Sequence, residues 1–157
     1  MKKIVTSLVV IGALLFGLRA DAQIRPSAAS LEQYKWKKRP LLLFSPSAQD
    51  PAYLQQKEVL QQNLQGIRER GMVVIELVGE DKVYVDGILQ KRQQGQQLRE
   101  CFRVAPESFA VLLVGKDGTQ KSSSAEPVSM ATIFGLIDQM PMRRQEMRGK
   151  DNNSIQH

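Results

Sequence analysis

A chain of 157 residues has room for one domain of ordinary size and little more. Its single cysteine, Cys101, excludes an internal disulfide, a CxxC redox pair and a cysteine-cluster zinc site. Its single histidine is the last residue, His157, so no imidazole is placed for a Ser-His-Asp triad or a fixed metal ligand. No cofactor and no resident metal are expected.

Met1, Lys2 and Lys3 form a short basic start, and residues 4–18 are an almost purely apolar run that ends before Ala20-Asp21-Ala22. The run is shorter than the roughly 20 residues a membrane span needs. It fits a secretory signal over residues 1–22, cleaved after Ala22, and the expected location is secreted or periplasmic with no stable membrane span. No cysteine follows the apolar run, which argues against lipoprotein processing. Cleavage would leave 19 basic residues against 15 acidic ones, a mild excess. A domain without disulfides must rely on a buried core, and at this length about two-thirds of the unfolded surface can be covered.

In chain order, residues 23–30 are a polar leader, and Ser30 with Gln33 can open a short helical turn. A basic stretch, Lys35, Trp36, Lys37, Lys38 and Arg39, precedes residues 40–45 (PLLLFS), a continuous apolar run of the kind found in strands buried on both faces. Asp50 and Pro51 supply an N-cap and a first-position proline for a helix whose apolar stripe is Tyr53, Leu60, Leu64 and Ile67, with Gly71 as its C-terminal cap. Residues 72–78 (MVVIELV) predict a second buried strand, joined to the first by a right-handed parallel crossover. Val83, Tyr84 and Val85 with Asp86-Gly87 suggest a small hairpin, and residues 98–102 a short helix. Residues 109–114 (FAVLLV) predict a third apolar strand, followed by a tight turn at Lys116-Asp117-Gly118 and an edge strand. A last helix is capped near Ser129, buries Met130, Ile133, Phe134, Ile137 and Met140, and ends at Pro141. A parallel start, an antiparallel finish and helices on both faces of a mixed central sheet make an α/β, thioredoxin-like plan. The domain is expected over residues 31–148, with a disordered tail at 149–157.

Four stretches, RPLLLFSPSAQDP, MVVIELVGED, FAVLLVGKDG and IDQMPMRRQEMR, resemble a family of secreted bacterial proteins known only as a domain of unknown function. The domain is similar to modules of sushi-repeat-containing and Equarin-type matrix proteins. The resemblance covers nearly the whole chain after the leader, and MPMRRQEMR is its most specific piece. It implies a thioredoxin-like, distantly peroxiredoxin-like fold and no assigned reaction.

A thioredoxin-fold oxidoreductase carries its nucleophilic cysteine after the first strand, where a helix N-terminus lowers the thiol pKa. Here that loop holds Ser45, Ser47 and Asp50, and Pro106 stands three residues before Phe109 rather than directly before the strand, so disulfide exchange is excluded.

The remaining candidates are weak. Cys101, between Arg99 and Arg103, reads as a structural thiol, with a one-cysteine peroxidase as the alternative. Ser45, Ser47 and Asp50 read as turn and cap residues that could also hold an anion. Glu76, Glu80, Asp81 and Asp86 lack calcium-loop spacing and read as solvated carboxylates. Two basic sets stand out: Lys35, Lys37, Lys38 and Arg39, then Arg143, Arg144 and Arg148. They are solvated surface or, if they meet, a patch for an anionic ligand, a polysaccharide or another protein; the charge excess is too small to suggest nucleic acid. Arg143, Arg144 and Glu146 have a further reading as structural ion pairs. Trp36 is expected to pack the N-terminal segment or to stack on a sugar. The functional expectation is a non-catalytic binding or interaction module, with a peroxiredoxin-like enzyme using Cys101 as the alternative.

Overall fold

The computed structural model describes residues 29–90 and 95–154. Residues 1–28, which include the expected signal segment, and residues 91–94 lie outside the described residues. After a one-turn helix α1 (Ala29–Glu32), the order is β1 (Arg39–Ser45), α2 (Pro51–Gln61), α3 (Leu64–Glu69), β2 (Met72–Val78), β3 (Lys82–Val85), β4 (Ile88–Leu89), α4 (Gly95–Phe102), β5 (Ala110–Val114), β6 (Gln120–Ser124), α5 (Met130–Asp138) and α6 (Pro141–Ser154).

The six strands form one sheet in the order β4-β3-β2-β1-β5-β6. β1 pairs in parallel with β2, Arg39 opposite Met72 and Ser45 opposite Val78, and antiparallel with β5. β1, β2 and β5 are buried at every position, as their unbroken apolar runs require. Alternation along each strand divides these residues between two cores. Leu41, Leu43, Met72, Val74, Val111 and Leu113 face Tyr53, Leu60, Ile67, Met130, Ile133 and Ile137 from α2, α3 and α5. Leu42, Phe44, Val73, Ile75, Leu77 and Leu112 face Leu98 of α4, with Leu31, Tyr34 and Phe102 packed alongside. This mixed sheet with helices on both faces is the expected thioredoxin-like arrangement.

Local chemistry accounts for most boundaries. The Asp50 carboxylate accepts the Tyr53 N–H at 2.9 Å and Pro51 opens α2; the Ser129 hydroxyl accepts the Thr132 N–H at 3.2 Å at the start of α5. Asp86 and Gly87 take φ values of 47° and 80°, the mirror-type turn that suits a two-residue hairpin. Gly71 ends α3 at φ 58°, in the left-handed region where a side chain is disfavoured.

Three sequence expectations are corrected. The helix after β1 is two helices, because the Asn63 side-chain amide donates to the Val59 carbonyl at 2.8 Å while its own N–H turns to Leu60. A side chain thus takes the bond that an unbroken helix gives to the backbone. The break takes Leu64 off the buried stripe and leaves it 50% exposed. In the same helix Gln56 is buried, bonded through both ends of its amide to the Val128 N–H and carbonyl. Trp36 does not pack the N-terminal segment: it is 62% exposed on a turn with φ 63°. α5 stops at Asp138, short of Pro141, and Pro141 opens a further helix, α6, that the sequence reading did not include. Residues 155–157 lie outside the described residues.

α3 and α5 approach closely at Gly66, where an added Cβ would stand 2.6 Å from the Phe134 ring. The same ring carries the Arg70 guanidinium at 4.1 Å from its centroid.

Candidate functional site

The loop after β1 is built from its own hydrogen bonds. Ser45 is fully buried and its hydroxyl donates to the Ser47 carbonyl at 2.7 Å. The Ser47 hydroxyl accepts from the Gln49 N–H at 3.3 Å, and Asp50 caps α2. All three side chains are therefore engaged by backbone groups of their own segment. The depression beside them, formed with residues 78–82, is shallow and open.

Beneath the loop lies a residue that the sequence did not single out for this role. Arg99 of α4 is buried, and its guanidinium donates to the carbonyls of Ser45 at 2.7 Å and Ala105 at 3.0 Å, with Leu77 and Gly79 at 3.5 and 3.4 Å. It also stands 5.5 Å from the Phe44 ring centroid. Burial pushes its pKa down, opposed by the charge of Glu107. Arg99 thus ties α4 to the C-terminal ends of β1 and β2, with its guanidinium directed at carbonyls. Cys101, two residues on, is half-buried on the helix that covers the opposite face from α2, and Arg103 is exposed.

The two basic sets come together, but around a carboxylate. Arg39 is 1% exposed and forks onto Glu146 of α6 at 3.0 and 3.2 Å, with a further bond to the Arg70 carbonyl at 2.7 Å. Lys116 reaches the same carboxylate at 2.6 Å, and Arg143 approaches it at 3.6 Å. Arg143 is itself buried, bonded to Asp138 and to the Glu69 carbonyl, and Arg70 forks onto Asp138. Burial works against ionisation of Glu146, yet Arg39 and Lys116 outweigh it and hold its pKa down at about 2. Asp138 is likewise disfavoured by burial and held below the ordinary carboxylate range by Arg70 and Arg143. Arg39 is therefore an internal strut and not a surface cation, and Arg143 takes the structural ion-pair alternative with Asp138 and Glu146; a guanidinium this enclosed has to be matched by carboxylate or carbonyl oxygens. Lys37, Lys38, Arg144 and Arg148 remain exposed, and the Arg39–Glu146 contact brings their segments to one end of the sheet.

The acidic residues separate in the same way. Glu76 is not a solvated carboxylate: it lies buried on β2, accepts the Tyr53 hydroxyl at 2.6 Å and meets Lys57 at 3.4 Å. Burial, followed by the hydrogen bond and charge of Glu76, pushes the Tyr53 pKa upward. The Asp86 carboxylate accepts the Val74 N–H at 2.9 Å. Glu76 and Lys57 border a groove between α2–α3 and β2 that no sequence motif marked. The one available signal was a glutamate within an otherwise apolar strand. Among the described residues no group of His, Cys, Asp and Glu side chains gathers closely enough to hold a metal ion, and no helix is long and apolar enough to cross a membrane.

A family model described as "Domain of unknown function (DUF4174)" matches residues 30–146. Coiled-coil domain-containing protein 80 of Danio rerio is 35% identical over 133 residues, which cover 74% of this chain and 15% of its own length. Sushi repeat-containing protein SRPX of Homo sapiens is 33% identical over 133 residues, covering 83% of this chain and 29% of its own. The chain thus spans less than a third of these curated relatives. Among solved structures, the reduced 2-Cys peroxiredoxin of Plasmodium vivax is similar with a TM-score of 0.53 at 16% identity, over 74% of this chain and 84% of that one. Plasmodium yoelii thioredoxin peroxidase I gives 0.52 at 16% identity, over 73% and 79%. At that identity the likeness establishes the thioredoxin-like, peroxiredoxin-like fold alone.

Proposed function

This chain belongs to the family described as "Domain of unknown function (DUF4174)", and on that footing we propose that it is a non-catalytic binding or interaction module on a thioredoxin-like scaffold. The observation that carries this reading is the loop after β1. Ser45, Ser47 and Asp50 stand where such scaffolds hold a nucleophile, and each is taken up by backbone hydrogen bonds. The thiol of Cys101 belongs to a helix on the other face, and the neighbouring Arg99 guanidinium is directed to strand-end carbonyls. The peroxidase reading using Cys101 is the alternative, supported by the likeness to peroxiredoxin structures.

The surface for a partner in this reading is the end of the sheet that carries Lys37, Lys38, Arg144 and Arg148, which suits a polyanion or an acidic protein face. Export to the periplasm or beyond is part of the same reading, supported by the basic and then apolar pattern of residues 1–18.

The test is peroxide consumption with a thiol reductant, wild type against Cys101→Ser. Neither protein is expected to turn over, and Cys101-dependent consumption would overturn the module reading. Retention on dextran sulfate should weaken when the four exposed cations are changed together to alanine; unchanged retention removes this surface from the proposal.

A further inference from the structure

β3 is four residues long and pairs with β2 only from Ile75 to Val78, then turns away at Asp86 and Gly87. The first half of β2 therefore has no strand beyond it, and the space between that half-strand and α2–α3 opens as a cavity of about 620 Å³. Small-molecule sites span roughly 300–1,000 Å³. Part of its wall is apolar, formed by Leu60, Ile67, Met72 and Val74 with half-exposed Leu64 at the lip, and the rest is polar, with Gln61 and charged side chains.

The two ends of this groove differ in charge. Arg39 pairs with Met72 in the strand register, so Lys38, immediately before β1, stands at the Met72 end. Arg68, in the last turn of α3, comes to the same end through the short connection into β2. Both side chains line the cavity, and neither has a hydrogen-bond or ion-pair partner among the described residues. Towards the other end Glu76 is met by Tyr53 and by the charge of Lys57, while the Asp86 carboxylate, opposite Val74 midway along the groove, accepts the Val74 N–H. The distance from Met72 to Glu76 along the strand is about 13 Å at roughly 3.3 Å per residue.

We propose that this groove binds a small amphiphilic anion, with its carboxylate between Lys38 and Arg68 and its apolar body along Leu60, Ile67, Met72 and Val74. An apolar wall next to two unpaired cations favours a ligand that carries both characters. A neutral apolar molecule leaves the cations unmatched, and a hydrophilic anion leaves the wall uncovered. A guanidinium additionally matches a carboxylate in a two-point fork. The proposal rests on the reading of the chain as a binding module and names the ligand class of that module.

Sodium decanoate, added as a monomer to the full chain and followed by amide chemical shifts and calorimetry, tests it. Saturable binding at one equivalent is expected, with shifts confined to α2–α3 and the first half of β2. 1-Decanol should bind at least tenfold more weakly and decyltrimethylammonium should not saturate. The double substitution Lys38→Glu with Arg68→Glu should weaken decanoate at least tenfold; both residues are exposed, and an unchanged circular dichroism spectrum confirms the fold. Equal affinity for the alcohol, indifference to the charge reversal, or shifts elsewhere would overturn the proposal. So would binding to phosphatidylglycerol vesicles without any saturable response to decanoate, or groove shifts that track protein concentration as in self-association. Peroxide turnover through Cys101 would sink the module reading and leave the decanoate titration to be judged on its own. A failed titration without turnover would sink the groove alone.

Discussion

Arg39 and Arg99 stand at opposite ends of β1, both almost completely buried, and are held in opposite ways. Arg39 answers a carboxylate 107 residues away in sequence, shared with Lys116, and thereby fastens α6 to the sheet. Arg99 answers carbonyl oxygens at the ends of β1 and β2 and the segment after α4. The contrast shows that one residue type can act as an ionic lock or as a backbone clasp, and that the two should fail differently. In the acid range the first depends on pH and the second does not.

The largest expected loss comes from Glu146→Ala, which strands the Arg39 guanidinium in the interior. Removing one partner of such a pair costs about 3 kcal/mol. Urea unfolding monitored by circular dichroism measures it, and a cost under about 1 kcal/mol would show that the lock at this end carries little. Arg99→Met should follow at about 2 kcal/mol, since it deprives buried carbonyls of their donor.

Acid titration sharpens the contrast. The folded pKa of Glu146 lies at about 2, below its ordinary value of 4.5, so its contribution is fully present above pH 4.5. That contribution is lost as pH falls from about 4.5 towards 2, because the unfolded chain takes up the proton first. Asp138 is depressed in the same direction and adds to the effect. Stability measured across this range should therefore fall less steeply in Glu146→Gln than in wild type, while Arg99→Met keeps the wild-type slope. Equal slopes in all three proteins would break the distinction.

Smaller effects separate structural from exposed positions. Asp50→Ala should cost about 1 kcal/mol as a lost cap. Arg144→Ala should stay within about 0.5 kcal/mol, because the side chain is exposed and no side-chain bond ties it to the body of the domain among the described residues. A larger loss at Arg144 would mean that the exposed cations also hold α6.

Much of the architecture was legible because its signals are local. Unbroken apolar runs announced β1, β2 and β5; Asp50-Pro51 and Ser129 announced helix starts; Asp86-Gly87 announced a hairpin. The break at Asn63 was not legible, since the amide's choice of the Val59 carbonyl competes with an otherwise acceptable helical pattern. For the candidate site, the loss of the nucleophile after β1 was plain from Ser45 and Ser47. The groove was not, because it exists only where β3 stops short of covering β2.

The sequence by itself determined the strands, the caps, the thioredoxin-like order of elements and the absence of a cysteine after β1, all of which depend on side-chain type and near-neighbour spacing. Only the tertiary structure decided which charges are solvent-facing. Arg39 and Arg143 look no different in sequence from Lys38 and Arg144, yet they are enclosed while the others face water. The reason is physical: a charge can be buried only where distant segments bring matching oxygens or donors to it, and such matches span 107 residues for Arg39 and 23 for Tyr53 with Glu76.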